Sequence, residues 1–422
     1  MPFASLIQRL YALGFNVICR FDLNRKTFEV TAQRVAASFG SLEHLRVEGR
    51  HSPGFAPLSG FWRTADGWIR LHANYPHHEQ ALMRALKATS IPSIRATLAS
   101  ANSIEAETAI NAAGGVAAAV KTHEAWLRSD PGETATDGPW LKFLGSGETK
   151  PRPTPRRTPT GPTRRPLGGL RVLDLTRVVA GPSASRLLGA LGADVLRVDP
   201  PALPELINQH IDTGFCKRSV ELDLNEPHDL RTFQDLLQDC HVLLLGYRTG
   251  ALDKFGLTPE KLLEHWPTLK VVSLNAWGFD GSSYHHKGFD SIVQAACGIA
   301  HIYRDSYDSP GSLPVQALDH ATGMGVVAAV AILLTNDHLT HAQTSLARTA
   351  HELMQLPQIR IMEETADSLA TPTRELHTSD YGRVEYVPPP LLLEGQSLEY
   401  STGPVKYGSS IPRWEDTLQP TI

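Results

Sequence analysis

Apolar positions along this chain follow two different rhythms. From Leu170 onward, short apolar runs alternate with amphipathic stretches. The runs Leu170–Leu175, Ala193–Val198, Arg218–Leu224, His241–Leu245 and Leu269–Leu274 are predicted strands. Gly181-Pro182 breaks the chain after the first, and Ser183–Leu191 is predicted as a helix. Asp229–Leu237 sets Leu230, Phe233, Leu236 and Leu237 on one helical face. Pro259, at a first helical position after Thr258, starts another helix that ends before Pro267. Strands alternating with helices predict an α/β fold with a doubly wound parallel sheet. Such sheets hold ligands at the carboxyl ends of their strands.

The first 140 residues have another pattern. Ala81–Ala88 and Ile104–Ala113 are predicted helices, and Trp68–His72, after the turn Ala65-Asp66-Gly67, is a predicted strand. Residues 1–140 are therefore expected to form a smaller α+β domain. Residues 141–166 end in PRPTPRRTPTGPTRRP, whose six prolines forbid regular structure and whose arginines keep it solvated. A linker is expected there, followed by the parallel-sheet domain over 167–355. The proline-rich segment 356–422 has little periodicity and is expected to wrap over other parts.

With 422 residues the chain has room for two or three cores. Its 41% hydrophobic and 20% charged content is that of an ordinary globular protein. A net charge of −4 argues against nucleic acid or an anionic membrane as main partner. No uninterrupted apolar run of about 18 residues occurs, so no membrane span is expected. Met1–Arg9 lacks a basic region leading into an apolar core, and the last residues carry no lipidation signal; a cytoplasmic location is expected. Cys19, Cys216, Cys240 and Cys297 are far apart with no C-x-x-C pair, which predicts reduced thiols. The 18 histidines include the adjacent pairs His77-His78 and His285-His286, but no H-x-x-x-H with a partnering acid. No metal site is expected.

One carboxylate stands out against this background. Asp319, in VQALDHATG, lies at the start of Ala321–Leu334, an uncharged stretch of small and apolar residues predicted as a buried helix. Alone, it reads as a helix cap or as a reactive group. The small-residue loop Arg177–Pro182 suits a phosphate or is a plain turn; it is not G-x-G-x-x-G. Lys217-Arg218-Ser219 suits phosphates or is a solvated strand start. Tyr247-Arg248-Thr249-Gly250 with Lys254 suits an adenine nucleotide or is a surface loop. In Lys287-Gly288-Phe289-Asp290 the aspartate is most simply an N-cap. No nucleophile elbow or Walker loop occurs.

Taken together, five blocks resemble one family. Leu167–Pro201, Cys216–Asn225, Gly246–Leu262, Leu274–Ile299 and Pro314–Leu333 occur in the order and rough spacing of the family III CoA-transferases, the CaiB/BaiF type. Pro57–His72 and Ala119–Trp126 resemble that family's small-domain half, which follows the catalytic aspartate in the best-known members and precedes it here. The resemblance implies a Rossmann-like fold, an interlocked homodimer, acyl-CoA and a carboxylic acid as substrates, and no permanently bound cofactor. It assigns the nucleophile to Asp319. It assigns contacts with coenzyme A to Val179, Ala180, Leu222, Asp223, Leu224, Asn225, Gly246, Tyr247, Arg248, Lys254, Lys287, Gly288, Phe289 and Asp290. Pro200 stands where the family usually has a basic residue. Racemases of the same fold place a proton-moving histidine in a G-H-D block, where this chain has Gly288-Phe289-Asp290. Phenylalanine cannot carry a proton, so transfer is the expected chemistry. A racemase, or a non-catalytic acyl-CoA-binding protein, is the alternative.

Overall fold

A computed structural model describes residues 28–145, 165–281, 285–356 and 372–415. The apolar runs form the middle of a seven-stranded sheet. Its strands are β1 (Lys142–Gly145), β2 (Arg171–Leu175), β3 (Asp194–Asp199), β4 (Arg218–Glu221), β5 (Val242–Leu245), β6 (Lys270–Asn275) and β7 (Leu339–Ser345). The spatial order is β4-β3-β2-β5-β6-β7-β1. Every pairing is parallel except that of β1 with β7. The chain runs outward from β2 to β4, then returns to β2's other side as β5. This reversal opens a crevice at the carboxyl ends of β2 and β5.

Alternate residues of each strand feed two cores. Leu173, Leu196, Leu243 and Val271 face α2 (Pro227–Gln238) through Phe233 and Leu237. Val172, Leu244 and Val272 face α1 (Ala180–Ala190) and α4 (Ala317–Thr335). Helix α4 has a mean hydropathy of 1.7, long and apolar enough to cross a membrane, but 89% of its most apolar window is buried inside the protein. It is the central core helix here. It starts four residues before the predicted Ala321, so Asp319 lies within its first turn.

Residues 142–145, expected in the linker, form the edge strand β1, with the exposed Lys142 facing solvent as edge strands favour. Most of the expected linker, 146–164, lies outside the described residues. Strand β7 was not predicted because its inward positions are polar: Thr340, His341 and Thr344 are all buried.

The N-terminal unit is a three-stranded antiparallel sheet (Gly60–Arg63, Trp68–Leu71, Ala117–Ala119) covered by helices Pro76–Ala85, Ile91–Ser100 and Ser103–Ala112. Ile69, Leu71, Leu82, Ile94, Leu98 and Ile110 form its core. The helix expected over Ala81–Ala88 lies five residues earlier: Pro76 pre-sets its first turn, and it has ended before Lys87, whose φ is 48°. Ile91–Ser100, not predicted, opens with a reciprocal Ser90–Ser93 capping box. The tail returns across both units. Val384–Tyr386 pairs with Arg46–Val47, Ser409 bridges to Val220 of β4, and Trp414 donates to the Leu236 carbonyl at 3.0 Å. The free edge of β4 is thereby covered.

Candidate active site

A cavity of about 500 Å³ lies in the crevice. Ala180, Leu222, Asp223, Leu224, Asn225, Gly246, Tyr247, Arg248, Lys254, Lys287, Gly288 and Phe289 line it, together with Asp319. Residues spread over 140 positions of sequence thus converge because each follows a strand end or opens a helix. Two of the positions singled out from sequence do not line it. Val179 is buried at the start of α1. Asp290, on α3 (Asp290–Ala296), is buried behind the wall, with its carboxylate turned toward α4.

Asp290 explains why Asp319 is not a cap. The Asp290 Oδ2 accepts the backbone N–H groups of Leu318 at 2.8 Å and Asp319 at 3.0 Å. The free donors at the start of α4 are therefore satisfied from another helix. Gln294 donates to the Asp290 Oδ1 and accepts the Leu313 N–H at 2.8 Å, which fixes the carboxylate's orientation. Asp319 is the third residue of α4, and its own carboxylate has no hydrogen-bond partner among the described residues. It is 6% exposed and faces the cavity.

Burial, followed by repulsion from Asp290, holds the Asp319 carboxyl well above the usual carboxylate range. Asp290 is pushed up to about 6 by its own burial, against the pull of its backbone and Gln294 donors. Those donors favour charge on Asp290, and no hydrogen bond among the described residues does the same for the Asp319 carboxylate.

Close packing places Asp319 against the loop after β2. A Cβ on Gly323 would lie 2.6 Å from the Ala180 carbonyl oxygen. A Cβ on Gly246 would lie 2.8 Å from Thr176 Cβ, so the loops after β5 and β2 touch only because residue 246 is glycine. At the mouth, Lys254 donates to Asn225 Oδ1 at 2.6 Å and lies 4.6 Å from the centre of the Phe255 ring. Arg248 is exposed beside it. These cations can meet phosphates with little desolvation cost.

Sequence reasoning missed one wall altogether. Tyr75, His77 and His78, from the N-terminal unit, line the same cavity. His72 behind them stacks on Phe289 with ring centres 3.7 Å apart and planes within 3°. Lys287 reaches across to the Gly114 carbonyl at 2.9 Å. Burial, then the neighbouring His77 and Lys287, lowers His78 to about 2; burial and Arg70 lower His72 to about 3. Both imidazoles are therefore neutral. The one available signal was Tyr-Pro-His-His right after a strand, with the proline marking a helix start.

Residues 167–364 match the model of CoA-transferase family III. The mouse (Mus musculus) succinyl-CoA:glutarate CoA-transferase is 32% identical over 178 residues, 39% of this chain and 41% of that protein. The formyl-CoA:oxalate CoA-transferase of Streptomyces coelicolor is 27% identical over 232 residues, 52% of this chain and 56% of that protein. This chain thus spans about half the length of the curated relatives it matches. A solved structure, the hypothetical protein Rv3272 from Mycobacterium tuberculosis, is 29% identical with a TM-score of 0.43, covering 46% of this chain and 60% of that one. The stretch that resembles CoA-transferase family III, residues 167–364, includes Asp319 and most of the cavity's lining.

Proposed function

We propose that the protein moves coenzyme A from an acyl-CoA to a carboxylic acid, with Asp319 as covalent nucleophile. One observation carries this: Asp319 is the cavity's buried carboxylate, unbonded, while a second carboxylate, Asp290, does the capping in its place. The Asp319 oxygen attacks the thioester carbonyl carbon, the C–S bond breaks, and CoA leaves as thiolate. The product is a mixed anhydride. The thiolate then attacks the Asp319 carbonyl, and the donor acid departs as carboxylate. An acceptor carboxylate attacks the resulting aspartyl-CoA thioester, giving a second anhydride and thiolate. The thiolate attacks the acceptor's acyl carbon, and Asp319 is released. Each step exchanges one activated acyl bond for another, so no ATP is consumed.

The cavity fits these demands. Burial strips water from a weak nucleophile and from hydrolysis-prone anhydrides. Asp319 must lose its proton first, and a charge-bearing substrate next to the mouth cations favours that loss. Backbone N–H groups opening α1 near Ala180 supply donors for the tetrahedral oxyanion. Coenzyme A enters as a substrate, its phosphates at Arg248 and Lys254 and its pantetheine arm along Leu222, Leu224 and Tyr247. A racemase finds little support, because an imidazole as depressed as His78 is too weak a base to take an α-proton. The assembly in this reading is a cytoplasmic homodimer, although one chain alone provides both walls of the cavity described here. Intact-mass measurement after incubation with acyl-CoAs tests the proposal. An adduct on Asp319, released by hydroxylamine and absent from Asp319→Asn, is expected; full transfer activity in that variant sinks it.

A further inference from the structure

Glu205 takes no part in the steps above, yet it is the most heavily engaged carboxylate beside the cavity. It lies in the segment after β3 and is 8% exposed. Its Oε2 accepts the Val178 N–H at 2.8 Å. Its Oε1 accepts the Tyr75 hydroxyl and the Leu206 N–H, the latter at 3.0 Å. The Arg177 and Arg197 guanidinium groups lie 3.6 Å and 3.5 Å from Oε2. Burial opposes the charge on Glu205, but the two guanidiniums and these donors outweigh it and keep the carboxyl below its ordinary range.

The residue that Glu205 grips is itself unusual. Val178 has φ 69°, a left-handed conformation that a β-branched side chain adopts only when its surroundings impose it. Val178 lies two residues before Ala180, where α1 begins, and both line the cavity with Asp319. Its turn therefore sets the direction in which the first N–H groups of α1 point. The Tyr75 hydroxyl belongs to the N-terminal unit, so the same carboxylate joins that unit to the loop.

We propose that Glu205 is a positioning residue. It holds Val178 in its left-handed turn, so that the start of α1 meets the acyl group on Asp319, and Tyr75 makes this geometry depend on docking of the N-terminal unit. The inference rests on the transfer reading, because it concerns the loop facing that acyl group. It goes beyond that reading by giving the N-terminal unit a part in the chemistry rather than in coverage alone.

The test separates the two ideas. Wild-type protein is mixed with acetyl-CoA or succinyl-CoA, and formation of the Asp319 adduct is timed by quenched intact mass. Absence of any wild-type adduct overturns the transfer reading itself, and the positioning role with it. With the adduct present, Glu205→Gln is expected to slow its formation by on the order of 10²-fold. Calorimetric affinity for free CoA should stay within about threefold of wild type, since the mouth is untouched. Tyr75→Phe, which removes one hydroxyl, is expected to slow adduct formation by about fivefold at unchanged CoA affinity. Adduct formation at the wild-type rate in Glu205→Gln overturns the positioning role alone. So does an equal loss of CoA affinity and adduct rate, which marks a merely structural residue. Should Glu205→Gln not fold, Tyr75→Phe decides by the same two readouts.

Discussion

Asp319 and His78 face one cavity from two kinds of structure. The sheet half brings its residues to the crevice at strand ends and helix starts, and it carries the charges: Asp319 within, Arg248 and Lys254 at the mouth. The N-terminal unit brings rings from a single helix start and is nearly charge-free there, since burial holds both His72 and His78 neutral. One wall carries the buried carboxylate and the exposed cations, and the other carries neutral rings. A neutral wall suits a buried carboxylate nucleophile, because a cation opposite Asp319 would trap it as an ion pair. The chain's order in this protein, with the N-terminal unit first, does not prevent that division.

The contrast is broken most sharply at Asp319. Asp319→Asn is expected to remove adduct formation and to lower transfer at least 10³-fold, measured by isotope exchange of free acid into acyl-CoA. The same change should stabilise the fold. Because the folded carboxyl titrates above its unfolded value, the native state binds the extra proton, and stability is lost as pH rises from the unfolded value through the folded one. At neutral pH the asparagine variant escapes that loss. Its thermal midpoint should rise by roughly 2–4 °C for each kcal/mol relieved.

Phe289→Ala tests the seam between the sheet half and the opposite wall. Losing the ring stacked on His72 should cost about 2–3 kcal/mol in denaturant unfolding, and acyl-CoA hydrolysis should increase relative to transfer as water enters. Asp290→Asn tests how the walls meet. Activity of the wild type should rise with pH as Asp319 loses its proton, with the acidic limb well above the usual carboxylate range. Removing the Asp290 charge removes one of two causes, so the limb should move to lower pH in a rate profile. The smallest effect is expected at the mouth. Lys254→Ala should raise KM for acyl-CoA about three- to tenfold with kcat unchanged, a difference that shrinks in high salt.

Much of the sheet half was legible. Leu170–Leu175, Ala193–Val198, His241–Leu245 and Leu269–Leu274 each lie within a residue or two of an observed strand, because a strand buried on both faces reads as an unbroken apolar run. Strand β7 escaped for the converse reason, since buried threonines and a histidine replace the expected apolar residues. Asp319 was legible as an anomaly, a carboxylate in an apolar helix start. Tyr75, His77 and His78 were not, because nothing local marks an aromatic helix start as a cavity wall.

By itself the sequence determined the alternating elements, the apolar α4 and the candidate nucleophile, since each depends on neighbours within a few positions. Only the tertiary structure decided the role of Asp290. From sequence it reads as the cap of its own helix, yet its carboxylate crosses 28 positions to cap α4 at the Leu318 N–H. That long-range bond leaves Asp319 free of capping duty and, by placing like charge next to it, raises its hold on a proton. Side-chain direction after folding, which no local pattern encodes, is what turned one aspartate into a support and left the other facing the cavity without a hydrogen-bond partner among the described residues.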